Sequence, residues 1–274
     1  MMKQDERTCV LVFAGLDPSG GAGISADIEA VGAVGSHALP IITALTVQDN
    51  NRVYAVNPVD PAIIAHQANV LMDHIPIAAV KIGIVGNRSN ALVIRDVIIQ
   101  LRQSHPELPV VLDTVLGSGH GFALTDGVPE YALSPLLGLV TLVTPNLPEA
   151  KRLYPKSDAI QAQALYLMDQ GAANVLIKGG HGDDTKTVVN YRFNQEGEKS
   201  WRWSRLPGEF HGTGCTLASA IAGFLAQGVV MDEAIERAQQ WCQQTLVNAY
   251  TIAKGQQIPA RQVAKCIELK RENE

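Results

Sequence analysis

Cysteine is scarce. Four cysteines, Cys9, Cys215, Cys242 and Cys266, are spread through 274 residues, and none stands in a C-x-x-C pair. Neither a disulfide framework nor a zinc knuckle is expected from such a pattern. The histidines at 37, 66, 74, 105, 120, 181 and 211 lack H-x-x-x-H spacing, so a zinc site is not expected either. No apolar run reaches the roughly 18 residues that a membrane span needs. The opening MMKQDERT has no basic segment followed by an apolar one, so no secretory signal is expected and a reducing cytoplasm is the expected compartment. Basic residues are outnumbered 22 to 27, for a formal charge of −5. A chain-wide attraction to nucleic acid or anionic lipid is therefore not expected, whereas a local basic site for a small anion remains open. Three catalytic signatures are also missing. There is no G-x-x-x-x-G-K-[ST], no G-x-G-x-x-G after the first strand and no G-x-S-x-G, which disfavours a P-loop enzyme, a nicotinamide enzyme and a serine hydrolase.

What is present suits a globular chain with a large core: 46% hydrophobic and 18% charged residues. Apolar β-branched runs alternate with helical patterns. Strands are expected over 10–16, 39–45, 80–85, 110–115, 139–144 and 175–178, with a short extended piece over 53–58. Helices are expected over 24–34, 60–74 and 89–103. Alternation of this kind implies a mostly parallel sheet covered on both faces. The rhythm breaks once, at 187–193 and 199–205, which flank NQEGE and read as an antiparallel hairpin. Helices return over 214–227 and 232–253. The last carries an apolar stripe that includes Trp241 and Cys242, so Cys242 is expected in the core. No repeat or linker is visible, and a single domain over 1–274 is expected.

In open sheets of this type, ligands bind beyond the carboxyl ends of the strands, and polar motifs gather there. HGTG, at 211–214, precedes an all-apolar helix. Its glycines let unpaired backbone N–H groups approach an anion that the helix dipole favours, although a plain glycine turn with a threonine cap has the same sequence. TPNLPEA, at 144–150, places Asn146 and Glu149 three apart after a strand. They read either as hard oxygen ligands for Mg²⁺ or as the cap and first turn of a helix opened by Pro148. VVLDTV sets Asp113 at the end of an apolar strand, where a charge needs a partner. KGGHG sets Lys178 at another strand end, either to neutralise phosphate or to pair with Asp113. Cys215, in the first turn after HGTG, is open to several readings, including a cysteine–histidine pair with His211.

Taken together and in this order, GLDPSGGAGISAD (15–27), ITALTVQDN (42–50), KIGIV (81–85), VVLDTV, TPNLPEA, IKGGH and HGTGCTLASAIA resemble the hydroxymethylpyrimidine/phosphomethylpyrimidine kinases of the ribokinase-like superfamily. The resemblance spans about 10–255. HGTGC is discriminating, because related sugar kinases typically carry aspartate where Cys215 stands. The resemblance implies a three-layer α/β/α fold with a mostly parallel central sheet, commonly a homodimer, that uses ATP and Mg²⁺. The implied substrates are 4-amino-5-hydroxymethyl-2-methylpyrimidine and then its monophosphate, on the route to thiamine diphosphate. By the same resemblance Gln48 reads the aminopyrimidine edge, and Ala22, Thr46 and Ile84 line the pocket with Asp27 nearby. Asn146 and Glu149 organise Mg²⁺, while Asp113, Lys178 and His211 stand near the phosphates. The turn Gly212, Thr213, Gly214, Cys215 holds the transferring group, with Cys215 as proton acceptor and its thiol pKa lowered by the helix N-terminus. One stretch departs. Where the family has a lysine-containing segment of the M-x-A-K-S-G kind, this chain has LGSGHGFAL (116–124), with His120 as a partial substitute, which bears on the second phosphorylation more than on the first. Pyridoxal is the alternative substrate of the same chemistry, and a non-catalytic pyrimidine- or nucleotide-binding regulator is the alternative of another class.

Overall fold

The strand Cys9–Leu16 (β1) shows why the chain needs helices on both sides. Val10, Val12 and Ala14 pack into one apolar cluster and Leu11 and Phe13 into another, and all five are fully buried. Side chains alternate across a strand, so a strand that is apolar throughout must be covered on both faces. In this computed structural model, which describes residues 6–117 and 128–262, β1 lies third in a nine-stranded sheet.

The sheet comprises β1, β2 (His37–Gln48), β3 (Val53–Pro58), β4 (Ile77–Ile82), β5 (Val110–Leu112), β6 (Leu142–Val143), β7 (Asn174–Ile177), β8 (Thr187–Asn194) and β9 (Gly197–Ser204). The spatial order is β3-β2-β1-β4-β5-β6-β7-β8-β9. The centre, from β2 through β7, is parallel. Antiparallel pairs close both edges, β2 with β3 on one side and β7–β8–β9 on the other. One face carries α2 (Pro61–His74), α3 (Arg88–Ser104), α4 (Pro129–Leu137), α5 (Leu147–Leu153) and α6 (Ile160–Asp169). The other carries α1 (Gly23–Ala33), α7 (Thr213–Ala226) and α8 (Met231–Val247). This is the three-layer arrangement expected, and the hairpin is β8 and β9.

Helix α7 is buried from Cys215 to Ala226, since α1 and α8 flank it and the sheet lies beneath. That position explains its lack of a polar face. Two strands are shorter than their apolar runs suggested. β5 stops at Leu112 and β6 spans only Leu142–Val143, yet the ladder continues through the Asp113 N–H to the Ile82 carbonyl (2.8 Å) and the Thr144 N–H to the Leu112 carbonyl (2.9 Å). Asn146 and Lys178 extend it as an isolated parallel bridge. Helix α8 ends at Val247, short of the expected 253. The following segment folds back instead, joining Tyr250 to Ile258 and Gln257 to Glu209 and His211.

Candidate active site

The turn that opens α7 is built by Gly212. Its φ of 79° is left-handed, a conformation glycine adopts without steric cost. Its carbonyl accepts from both the backbone N–H (2.9 Å) and the hydroxyl (2.8 Å) of Thr216. That bond is the first of α7, so the N–H groups of Thr213, Gly214 and Cys215 precede the helical ladder. Directly under this turn, Lys178 donates to Asp113 at 2.7 Å. A Cβ at Gly214 would lie 3.1 Å from Lys178 Nζ and 3.4 Å from Asp113 Oδ2. Gly214 therefore lets backbone, ammonium and carboxylate share one corner. Thr144 also donates its hydroxyl to Asp113, at 3.2 Å. Burial opposes the Asp113 charge, but Lys178 and Lys81 outweigh it and hold this carboxyl below the usual range.

The bridge between Asn146 and Lys178 brings a second carboxylate close. Asn146 caps α5 and accepts from the Glu149 N–H (2.9 Å), while Glu149 Oε2 accepts from the Asn146 N–H (2.8 Å) and from Thr114 (3.2 Å). This is a reciprocal capping box. The helix-start reading of TPNLPEA thus holds as geometry, while both residues also line the cavity. Burial raises the Glu149 pKa, Lys178 pulls it back only in part, and Asp113 adds to the rise. Two carboxylates face one ammonium, a surplus of negative charge that a divalent cation would relieve. Among the described residues no group of three or more His, Cys, Asp or Glu could hold a metal. Mg²⁺ is commonly held by one or two protein oxygens completed by water and phosphate, and the donors here fit that mode.

The other end of the cavity is formed by β2 and the loop after β1. The cavity measures about 480 Å³ and is lined by Ala22, Thr46, Gln48 and Ile84 as well as Asp113, Asn146, Glu149, Lys178 and residues 211–215. Along β2, Thr46 and Gln48 turn inward while Leu45 and Val47 are 47% and 53% exposed. The Thr46 hydroxyl is fixed on the Leu16 carbonyl (2.8 Å). One ring nitrogen of His211, Nε2, lies 2.7 Å from Asp17 Oδ2, to which it can donate, and 3.2 Å from the Gln48 amide nitrogen. His211 therefore stands between the two ends, and its ring faces Asp17 and Gln48, not Cys215.

Two expectations need correction. Asp27 is absent from the cavity wall. It is fully buried against Lys81 (2.7 and 2.8 Å) and the Ser219 hydroxyl (2.7 Å). Cys215 does line the cavity, but its thiol is not lowered. Burial pushes it from an ordinary 9.0 up to about 12, with Lys81 only partly offsetting this. Desolvation at the packed start of α7 outweighs the helix dipole, so the thiol is neutral near neutral pH. Residues 118–127, which include His120 and most of the 116–124 departure, lie outside the described residues.

The sequence reading passed over Asp17, Lys81 and Arg261. Asp17 orders the loop after β1 by accepting from Ser19 N–H (2.8 Å) and Ala22 N–H (2.9 Å), and its contact with His211 helps hold its carboxyl low against burial. Lys81 sits in the apolar run KIGIV and was readable by the same reasoning that singled out Asp113.

A helix start with unpaired N–H groups, a lysine and paired carboxylates, lining one cavity with the polar side chains of β2, define a small-molecule phosphotransferase. A family model described as phosphomethylpyrimidine kinase matches residues 17–260. The chain is 34% identical to the hydroxymethylpyrimidine/phosphomethylpyrimidine kinase of Escherichia coli K12, over 91% of this chain and 95% of that one. It is 36% identical to the thiamine biosynthesis bifunctional protein ThiED of Geobacter sulfurreducens, over 91% of this chain and 51% of that protein, so it spans about half of the bifunctional relative. The Staphylococcus aureus pyridoxal kinase, solved with AMP-PCP and pyridoxal, superposes with a TM-score of 0.83 at 25% identity, over 96% of each chain. The chain belongs to the phosphomethylpyrimidine kinase family and has the ribokinase-like fold.

Proposed function

We propose that the protein transfers the γ-phosphoryl group of ATP to the hydroxymethyl group of 4-amino-5-hydroxymethyl-2-methylpyrimidine, and then to the resulting monophosphate, in thiamine diphosphate synthesis. The observation that carries this reading is the shared cavity. Gln48 stands at one end, and the Lys178–Asp113 pair beneath the Gly212–Cys215 turn stands at the other. A glutamine amide presents both a donor and an acceptor, as an aminopyrimidine edge requires. Thr46, Ala22 and Ile84 enclose the ring. The backbone N–H groups of 213–215 cradle the transferring group, and Lys178 neutralises its growing charge. Asn146 and Glu149 would hold Mg²⁺, which would supply neutralisation of the phosphate charge there. His211, held by Asp17, stands beside Gln48 between the two ends. Cys215 contributes its backbone N–H and a neutral thiol wall, because a loose phosphoryl-transfer transition state needs little help from a base.

The same reading takes 1–274 as one kinase domain working as a homodimer in the cytoplasm. Leu45, Val47 and Tyr54 (56% exposed) form an apolar face on β2 and β3 that a second copy would cover. Among the described residues no helix is long and apolar enough to cross a membrane.

Purified protein with Mg²⁺-ATP and the pyrimidine alcohol should yield the monophosphate and then the diphosphate by mass spectrometry, and EDTA should stop both. Pyridoxal in a parallel reaction should be the poorer substrate. Product from pyridoxal alone would transfer the assignment to that vitamin, and no phosphorylated product from either would overturn the kinase reading.

A further inference from the structure

The segment after α8 folds back beside the phosphate turn. The Gln257 N–H donates to the Glu209 carbonyl and the His211 N–H to the Gln257 carbonyl, each at 2.8 Å. At its end stands Arg261, whose side chain is fully buried. Nη2 donates to the Gly21 carbonyl (2.5 Å), Nε to the Thr216 hydroxyl (2.7 Å) and Nη1 to Glu29 (3.2 Å). The first acceptor lies in the substrate-side loop next to Ala22. The second is the hydroxyl that holds the Gly212 carbonyl.

These two loops touch. A Cβ at Gly212 would overlap the Gly21 carbonyl oxygen, and one at Gly21 would overlap the His211 ring. A buried guanidinium needs its donors matched; Glu29, 30% exposed, meets only Nη1, where a glutamine oxygen could still accept. The other two bonds go to neutral acceptors, one on each loop, and only the planar fork of arginine reaches both in fixed geometry.

We infer that Arg261 is a positioning residue for phosphoryl transfer. Its fork fixes loop 17–23 against the turn 212–215 and so sets the separation between the ring end and the phosphate end of the cavity. The inference rests on the kinase reading. Reacting atoms must come within about 3–3.5 Å, and a displacement of about 1 Å from a remote change costs on the order of 10²-fold in rate.

The test compares Arg261→Lys, Thr216→Val, their double variant and Glu29→Gln in the full-length protein. Arg261→Lys should lower kcat about 10–100-fold while KM for ATP and for the pyrimidine moves less than about threefold. Thr216→Val should lower kcat in the same direction, and the double variant should be no worse than Arg261→Lys alone, since both break one linkage. Glu29→Gln should keep kcat. Hydrogen exchange at amides 212–216, measured without substrate, should quicken in Arg261→Lys and Thr216→Val and not in Glu29→Gln. A wild-type protein without turnover would defeat the kinase reading and leave the exchange result to decide whether Arg261 fixes the turn. An active wild type with unchanged kcat in Arg261→Lys would overturn the positioning role. So would losses that multiply in the double variant, or unchanged exchange at 212–216. Should Arg261→Lys fail to fold, Thr216→Val against Glu29→Gln carries the same comparison.

Discussion

Two lysine–aspartate pairs stand at the carboxyl side of the sheet, both at 2.7 Å, and they differ in what lies above them. Lys81 on β4 and Asp27 on α1 are sealed, each 0% exposed. Both Asp27 oxygens accept from Lys81, and Ser219 on α7 supplies a further donor. Lys178 and Asp113 are 14% and 3% exposed and border the cavity. Here one ammonium faces two carboxylates, Asp113 and Glu149, and a glycine at 214 leaves the space above open. The sealed pair has no cavity above it, although Lys81 also acts on Asp113. The open pair, together with Glu149, sets two carboxylates beside Lys178 at the cavity wall. On the kinase reading proposed above, the same residue types at similar strand positions become scaffold or machinery according to whether a helix or a cavity covers them.

The largest expected effect breaks the sealed pair. Lys81→Met leaves the Asp27 carboxylate buried without a cation, and losing one partner of a buried pair costs about 3–5 kcal/mol. Urea denaturation should show a matching fall in the midpoint, and adding Asp27→Leu should recover much of it. A wild-type midpoint in Lys81→Met would mean that water reaches Asp27 and that the two pairs are alike.

The next effect sharpens the other side. Lys178→Met should lower kcat roughly 10²–10³-fold, the usual cost of losing one charge-stabilising group. Its unfolding midpoint should shift less than that of Lys81→Met, since the cavity lets solvent approach Asp113. Steady-state kinetics alongside melting curves check this. A kcat loss explained by instability alone would make Lys178 scaffold like Lys81.

The open pair was legible in the sequence because Asp113 and Lys178 interrupt apolar runs where strands end. The parallel sheet was legible for a related reason: its runs are apolar throughout, as strands buried on both faces must be. The sealed pair was not assembled, because Lys81 and Asp27 lie 54 residues apart on different elements and only the packing of α1 on β1, the neighbour of β4, brings them together. Asp27 was read as a substrate neighbour through the motif that contains it, and a motif does not say which way a helical side chain turns. Arg261 belongs to no motif. Its role depends on the fold-back after Val247, where the helical pattern was extended to 253, and tertiary pairing of Tyr250 with Ile258 overrode local propensity.

The smallest effect concerns Cys215, which sits between the two pairs and feels Lys81, Asp27 and Asp113. A helix N-terminus alone would lower the thiol, and the covered setting reverses the sign. If the thiol is neutral, Cys215→Ser should stay within about threefold of wild-type kcat and Cys215→Ala within about tenfold, below the roughly 10²–10⁴-fold that a general base supplies. The pH profile of kcat should show no limb between pH 7 and 9 that disappears in Cys215→Ala. Stability carries the complementary signature. A group whose folded pKa is raised keeps its contribution below the unfolded value and loses it toward the folded one. Here that window runs from 9.0 to about 12. The unfolded chain binds fewer thiol protons there, so stability falls as pH rises. Cys242, also pushed up to about 12 by burial, adds a second such group, so Cys215→Ala should flatten the alkaline decline of the unfolding midpoint without abolishing it. A thiol limb in kcat near pH 7–8 that vanishes with the alanine would restore Cys215 as a proton acceptor and place it with the open pair.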